Sequence, residues 1–597
     1  MVEQHYNKQI ESHKLILQTL SKYAQILLWV KLSTFLLAVF FIYKYVFNGF
    51  PGVWIITALV FLLGYFTALI LDNKIQKKIS LQSNLIQTLE NELSYLAKDF
   101  SPFDDGKEFI DPEHPYSFDL DMFGDSSFFH RINRTVTDLG KNKLAEKLCN
   151  IPTDVSAIRT RQESLKELAG MSDWRTLFIA YGSGFKVNLA SLSKQLNENK
   201  TKGASKSKAV VFGMVLSTAL TLATIVLAIL DIVPSSLPTL LFCIQILTAI
   251  LVSSKVSRTA FQVSGLHKGL RSYGSIIHHI LENKFTSAEL VELQNSLQQN
   301  KEIDIRVAFR DLNEILSRLE QRQNMLAFIF LNGLFLYDLW TVRSFYIWQS
   351  KYAGYMANWV NTIGEFDSLI SLATYSFNNP DNCSVELLEG DGSILEGVGV
   401  YHPFISRDKV IVNDFNLDSS HFAIVTGANM AGKSTFLRSV GVNYIMALNG
   451  LPVCASSFKV TPVKLFSSMR TSDNLVKNIS YFNAELIRLE HLINYCKQNP
   501  HTLIILDEIL KGTNSVDKLK GSKLLLEEIS KLPVSGIIAT HDLELTKMDE
   551  EFGHIDNYCF EIELGDEIIY TYKMGRGVAK NLNATYLLQK IIDKITH

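Results

Sequence analysis

Two stretches of the chain run uncharged for long enough to cross a bilayer. Val53 to Leu71 is 19 residues and Ala209 to Leu230 is 22, and about 20 apolar residues suffice for a spanning helix. Each has a weaker neighbour. Ile26 to Phe47 contains Lys31 and Lys44 toward its ends, where long side chains reach headgroups. Leu237 to Val252 is shorter and contains Pro238 and Gln245. Turn-rich links, Asn48 to Gly52 and Asp231 to Ser236, join the partners. The pattern predicts two helical hairpins in membrane lipid, 26–72 and 209–253. Core helices of a large soluble protein are the alternative reading of the same segments.

The remaining pattern divides the chain further. Residues 1–25 read as a short amphipathic helix on the cytoplasmic side. Residues 73–116 read as a helix followed by a linker rich in Pro, Asp and Gly. Helical patterns with few turn signals fill Phe118–Leu196, and Val263–Leu336 is again mostly helical. Leu326 to Leu336 is apolar but only 11 residues long, so it reads as a buried helix rather than a span. Residues 384–597 differ in character. Short apolar strands alternate there with helices: Phe422–Thr426, Leu465–Thr471, Thr502–Leu506, Gly536–Thr540, and Cys559–Leu564 with Ile568–Tyr572. That alternation predicts a wound α/β sheet.

Charge then sets an orientation. Lys22, Lys74, Lys77, Lys78, Lys202, Lys206, Lys208, Lys255 and Arg258 flank the hairpins on their open ends, and the two links contain no Lys or Arg. The positive-inside rule places both ends of the chain and the α/β part in the cytoplasm, in a multi-pass membrane protein of about four helices. The formal net charge of −2 advertises no global basic field for nucleic acid. The six cysteines are scattered without a C-x-x-C pair, as in a reduced protein body.

The chemistry concentrates in the α/β part. Gly427, Ala428, Asn429, Met430, Ala431, Gly432, Lys433 and Ser434, followed by Thr435, form a G-x-x-x-x-G-K-[ST] loop between an apolar strand and a helix. Glycines let backbone N–H groups curl round phosphates, and the helix N-terminus adds partial positive charge. Lys433 can reach the β- and γ-phosphates of ATP, and Ser434 can hold Mg²⁺. About 70 residues on, the strand Leu503–Leu506 ends in Asp507 and Glu508. Asp507 suits Mg²⁺, and Glu508 can act as the general base on water. His541, after the next apolar strand, is placed to touch the γ-phosphate.

The segments Gly427–Thr435, Leu506–Asn514 and Ala539–His541 resemble the ATPase domain of the MutS mismatch-repair family. Ser480 to Glu485 looks like a further family segment, similar to the signature motif of ABC-type ATPases. Asn133–Lys141, Leu144, Pro152, Ile158 and Arg161–Glu163 resemble the start of the family's core, or lever, domain. Gly364–Ala373 and His402–Pro403 resemble its return and its lead into the ATPase. The resemblance implies an ABC-type P-loop ATPase domain on an all-α lever. It also implies a homodimer in which Ser480 of one subunit faces the nucleotide of the other. Such a site makes hydrolysis depend on dimer closure.

The chain departs from the family where DNA would be read. The family's mismatch-reading domain carries a Phe-x-Glu wedge; here that region is a hairpin and a linker. The clamp position within the core is taken by the second hairpin. The expected function is a membrane-anchored ATPase that moves its lever helices, its hairpins or an unidentified protein partner. A membrane-tethered DNA-binding ATPase of repair, recombination or uptake is the alternative, and a non-hydrolysing scaffold is a third reading that intact Lys433, Ser434, Asp507 and Glu508 oppose. Mismatch discrimination is expected to be absent.

Overall fold

The computed structural model describes residues 1–47, 52–183, 208–264, 267–298, 303–321, 325–390, 392–470, 481–564 and 568–580. The N-terminal hairpin is longer than its apolar segments. Helix α1 (Val2–Phe47) runs unbroken through what the sequence reading divides into a cytoplasmic helix and a span. No Gly or Pro occurs before Gly49, so nothing ends the helix at residue 25. Helix α2 (Gly52–Leu96) returns beside it. At 1.5 Å per residue each is close to 70 Å long. The Lys31 ammonium meets Asp72 at 2.6 Å across the pair, and Lys14 meets Glu90 at 3.2 Å.

The foot of this hairpin docks on a helical core. Tyr6, Ile10, Ile86 and Leu89 pack together there, with Phe377 at their edge. The core comprises α3 (Phe128–Ile132), α4 (Asp138–Cys149), α5 (Val155–Gly170) and α6 (Ser172–Gly182), then α7 (Lys208–Ile229) and α8 (Ser236–Ser264), which leave it as the second hairpin. It resumes with α9 (His267–Glu282), α10 (Ala288–Ser296), α11 (Ile305–Gln321), α12 (Met325–Phe335) and the 42-residue α13 (Tyr337–Asn378). Pro238 lies in the first turn of α8, where its missing N–H costs nothing. Among the described residues, three helices are long and apolar enough to cross a membrane: α1, α2 and 208–228 in α7. Ser236–Leu251 is a shorter apolar stretch.

Met325–Phe335 corrects the sequence reading of a buried helix. It packs on the second hairpin, and Met325, Phe330 and Phe335 stand exposed. Eleven apolar residues without a charge fit a core, and nothing local distinguishes that from an apolar outer face.

The C-terminal part holds two sheets. The smaller has the order β1 (Glu386–Leu387), β5 (Ser457–Val460), β2 (Ser393–Val400) and β3 (Asn413–Asp418). The larger has the order β10 (Ile568–Arg576), β9 (Ile555–Leu564), β4 (Phe422–Gly427), β8 (Ser535–Ala539), β7 (Leu503–Asp507) and β6 (Leu465–Ser468). Its neighbours are parallel except β9 with β10. Successive residues of a strand point to opposite faces. Ala423, Val425, Ile505 and Ile537 therefore join the core shared with the helical domain, while Phe422, Ile424, Ile504 and Ile538 face α15 (Tyr481–Gln498) and α16 (Ser515–Ile529). Burial on both faces explains the unbroken apolar runs. All six cysteines are free thiols.

Candidate active site

Strand register assembles the site. Val425 pairs with Ala539, and Asp507 also pairs with Ala539 from the other side. The start of the Gly427–Ser434 loop, the Asp507–Glu508 pair and His541 thus meet at the carboxyl edge of three adjacent parallel strands, the edge at which wound sheets bind ligands.

The loop is shaped for close approach. Gly427 has φ +153°, and a Cβ there would stand 2.8 Å from the Phe560 carbonyl oxygen. Gly432 has φ +110°, with the Tyr572 ring 3.2 Å from an added Cβ. Met430 adopts φ +64° without being glycine, and its side chain is exposed. Helix α14 (Lys433–Leu448) starts directly after Gly432 with no side-chain cap. Its first N–H groups, at Lys433, Ser434 and Thr435, are those a helix cannot satisfy internally. Ser434 and Thr435 lie exposed at this end.

Lys433 bends back over the loop. Its ammonium donates to the carbonyls of Gly427 and Ala428 at 2.8 and 3.0 Å. Burial pushes its pKa down to about 8, against the opposing charges of Asp507 and Glu508. His541 Nε2 is 3.2 Å from this ammonium and 3.0 Å from Glu508 Oε1. The hydrogen bond from His541 is the main reason the Glu508 carboxyl falls to about 2, although partial burial opposes it. Glu508 and Leu510 both take positive φ, +57° and +58°. The Glu508 N–H donates to the Ala539 carbonyl at 2.9 Å, which fixes this turn to β8. Asp507 is buried at the end of β7.

Several neighbours escaped the sequence reading. Lys518 in α16 stands 3.9 Å from both Glu508 Oε2 and Asp542 Oδ2. Glu485 is buried and accepts the Lys511 N–H at 3.1 Å, tying α15 to the turn after Glu508. Beside Gly432 and Thr435 opens a cavity of about 190 Å³, walled by His402, Ile405, Phe436, Phe560 and Tyr572. Glu485 and His402 had a signal only as parts of the family-like segments Ser480–Glu485 and His402–Pro403, and Lys518 had none; the cavity joins segments 170 residues apart. Ser480 lies outside the described residues.

The helical core presses on the same site. Asp121 pairs with Arg438 of α14 at 3.1 Å and with Arg470, past β6, at 2.6 Å. Asp119 accepts the Ser467 hydroxyl and the Arg470 N–H, both at 2.8 Å. Leu120 fits over Gly441 so closely that a Cβ there would be 2.8 Å from it.

Comparison with known proteins bears on this part of the chain. Residues 423–588 match the family MutS domain V. The DNA mismatch repair protein MutS of Acetivibrio thermocellus is 32% identical over 248 residues, 40% of this chain and 28% of the relative. That of Ehrlichia ruminantium is 34% identical over 241 residues, 38% of this chain and 28% of the relative. MutS protein homolog 4 of Homo sapiens is 31% identical over 196 residues, 31% and 21% of the two chains. The chain therefore spans less than a third of the length of these relatives. The matched segment carries the loop, the carboxylate pair and the histidine just described, so this part of the chain is similar to MutS domain V.

Proposed function

We propose that the chain is a membrane-anchored ATPase that uses ATP and Mg²⁺ at sites completed across a homodimer. The observation that carries this reading is the meeting of Lys433, His541 and Glu508 beneath an uncapped helix start and a glycine cradle. Gly427 lets the loop leave β4 tight against β9, where the Phe560 carbonyl leaves no room for a Cβ. Bound ATP and Mg²⁺ would supply the bond to be cleaved and the charge neutralisation of its phosphates.

The chain's own groups have separable tasks. The N–H groups of the loop and of Lys433 to Thr435 hold phosphate oxygens. Lys433 exchanges the loop carbonyls for the β- and γ-phosphates. Ser434 and Asp507 offer the metal two oxygens. Among the described residues no three His, Cys, Asp or Glu side chains form a metal cage, and Mg²⁺ sites of this kind need few protein ligands. Glu508 orients and deprotonates water, and His541 holds its carboxylate until the γ-phosphate draws the histidine away. Ser480 of the second subunit completes the site. Motion then passes through Asp119 and Asp121 to the helical core and its hairpins, which lie in membrane lipid with the ATPase on the cytoplasmic side. This division makes 384–597 the ATPase, 117–208 with 254–383 the lever, and 26–72 with 209–253 the anchors.

A second reading, a membrane-tethered DNA-binding ATPase, draws on the relatives' description as DNA mismatch repair proteins. The test is the ATPase rate of the full chain in nanodiscs, with and without Mg²⁺, homoduplex DNA and single-mismatch duplex at fixed salt. Mg²⁺-dependent turnover that Lys433→Ala abolishes, with no DNA effect, is expected. Turnover that survives Lys433→Ala sinks the proposed site. Strong DNA stimulation moves the assignment to the second reading, and a mismatch preference above about tenfold, roughly 1.4 kcal/mol, reveals a mismatch reader.

A further inference from the structure

The second hairpin has an apolar companion. Met325–Phe335 contains no charged residue and lies against α8. Gly333 approaches Phe242 so closely that an added Cβ would stand 2.2 Å from the Phe242 ring. Phe242 is six residues into α8, about 9 Å from the start of that helix. That start adjoins the link at the hairpin's tip, so α12 reaches alongside the distal part of the hairpin. It does not stop at the root. Its outer side is uncovered: Met325 is 75% exposed, Phe330 58% and Phe335 43%. Leu240, Ile244 and Leu247 of α8 are exposed as well. Whatever medium covers the outer surface of α8 also meets α12.

The C-terminal end of α12 is built for an environment without water. Eleven residues extend about 16 Å, roughly half the hydrocarbon thickness. The chain reverses out of the helix at Leu336, which has φ +53°. In hydrocarbon, a broken helix must have its backbone groups satisfied by protein. Asn332, 1% exposed, bridges the break: its oxygen accepts the Asp338 N–H at 2.8 Å. At a solvated helix end, water would serve this group. The helices on either side return to one body, since the Trp348 indole N–H of α13 donates to the Ala308 carbonyl of α11 at 2.7 Å. The segment between them therefore enters and leaves on the same side.

We propose that Met325–Phe335 is a re-entrant half-helix that lies in the acyl-chain region beside the second hairpin without crossing it. This rests on the membrane reading of that hairpin, and the test separates the two. A photoreactive p-benzoylphenylalanine replaces Phe330, Met325, Val226 of α7 or Leu524 of α16 in the full chain, one at a time. Each variant is placed in phosphatidylcholine nanodiscs, irradiated and read by mass spectrometry, after its elution profile is matched to the parent's. Lipid adducts at Phe330, Met325 and Val226, with none at Leu524, are the expected result. Adducts at Val226 alone overturn the half-helix and leave the hairpin in lipid. Protein–protein adducts at Phe330 assign the face to a second copy and overturn it equally. No adduct at Val226 removes the membrane reading, and the half-helix with it.

Discussion

His541 Nε2 stands 3.0 Å from Glu508 Oε1, so the proposed base is held by a neighbouring strand end. The turn that carries it is strained at Glu508, with φ +57°. Such backbone cost persists where surrounding structure over-determines it; here the Ala539 carbonyl and the histidine do so.

The first prediction concerns this pair. Glu508→Gln keeps an oxygen for His541 but cannot take a proton from water. ATP binding should persist while turnover falls by about 10²- to 10⁴-fold. Single-turnover assays and a fluorescent nucleotide separate the two quantities. Parent-level turnover in Glu508→Gln would remove Glu508 from the base role.

Lys433 gives a pH dependence. Its pKa is pushed down to about 8 by burial, so it is largely charged at pH 7 and loses its proton above pH 8. ATP affinity should hold up to about pH 7.5 and weaken above pH 8, with proton uptake on binding in that range. The unfolded chain keeps this proton to about pH 10.4. Between these values the unfolded state binds more protons, so the group's contribution to stability rises with pH. Calorimetry at pH 7 and 8.5, in buffers of different ionisation enthalpy, measures the uptake. Equal proton counts at both pH values would contradict the assignment.

Sharing across the dimer predicts complementation. Lys433→Ala and Ser480→Arg subunits should each be inactive alone. Mixed dimers should regain one working site in two, because one partner supplies an intact loop and the other an intact Ser480. Mixed dimers that form yet hydrolyse nothing would argue that each chain builds its own site.

The hairpin foot should be coupled to the lever through one buried pair. Arg134 Nε donates to Glu92 Oε1 at 2.6 Å, and the guanidinium lies 3.8 Å from the centre of the Phe103 ring. Glu92 also accepts Asn378 at 2.7 Å, and Asn378 accepts the Tyr6 hydroxyl at 2.7 Å. Arg134→Met strands a buried carboxylate and should cost about 3–5 kcal/mol. Adding Glu92→Leu should restore part of the loss, since the uncompensated charge is then gone. Thermal unfolding of the two variants checks this. If the double variant is the less stable by the sum of both effects, the pair does not act as a unit.

Topology supplies the last prediction. Ser235→Cys, in the second link, should react with an impermeant maleimide from outside intact cells, above the parent's background. Asp105→Cys should remain protected until the cells are opened. The opposite labelling pattern would invert the orientation drawn from the basic flanks.

The local chemistry of this protein is written in short segments. Gly427–Ser434, Asp507–Glu508 and the apolar strands were readable because a tight loop and a strand buried on both faces constrain consecutive residues. The long apolar helices were readable for the same reason. The reading of Leu326–Leu336 as a buried helix missed the exposed side at Met325, Phe330 and Phe335, because an apolar run does not say which of its faces the rest of the chain will cover. The change of polarity at residue 25 falls inside one continuous helix, because the backbone has no reason to break there. The docking of Asp119 and Asp121 on Arg470 and Arg438 joins residues more than 300 positions apart. Sequence alone determined which groups could carry chemistry. Strand register decided which of them meet, and the packing of the helical core decided what lies against them, because both depend on contacts between segments that no local pattern links.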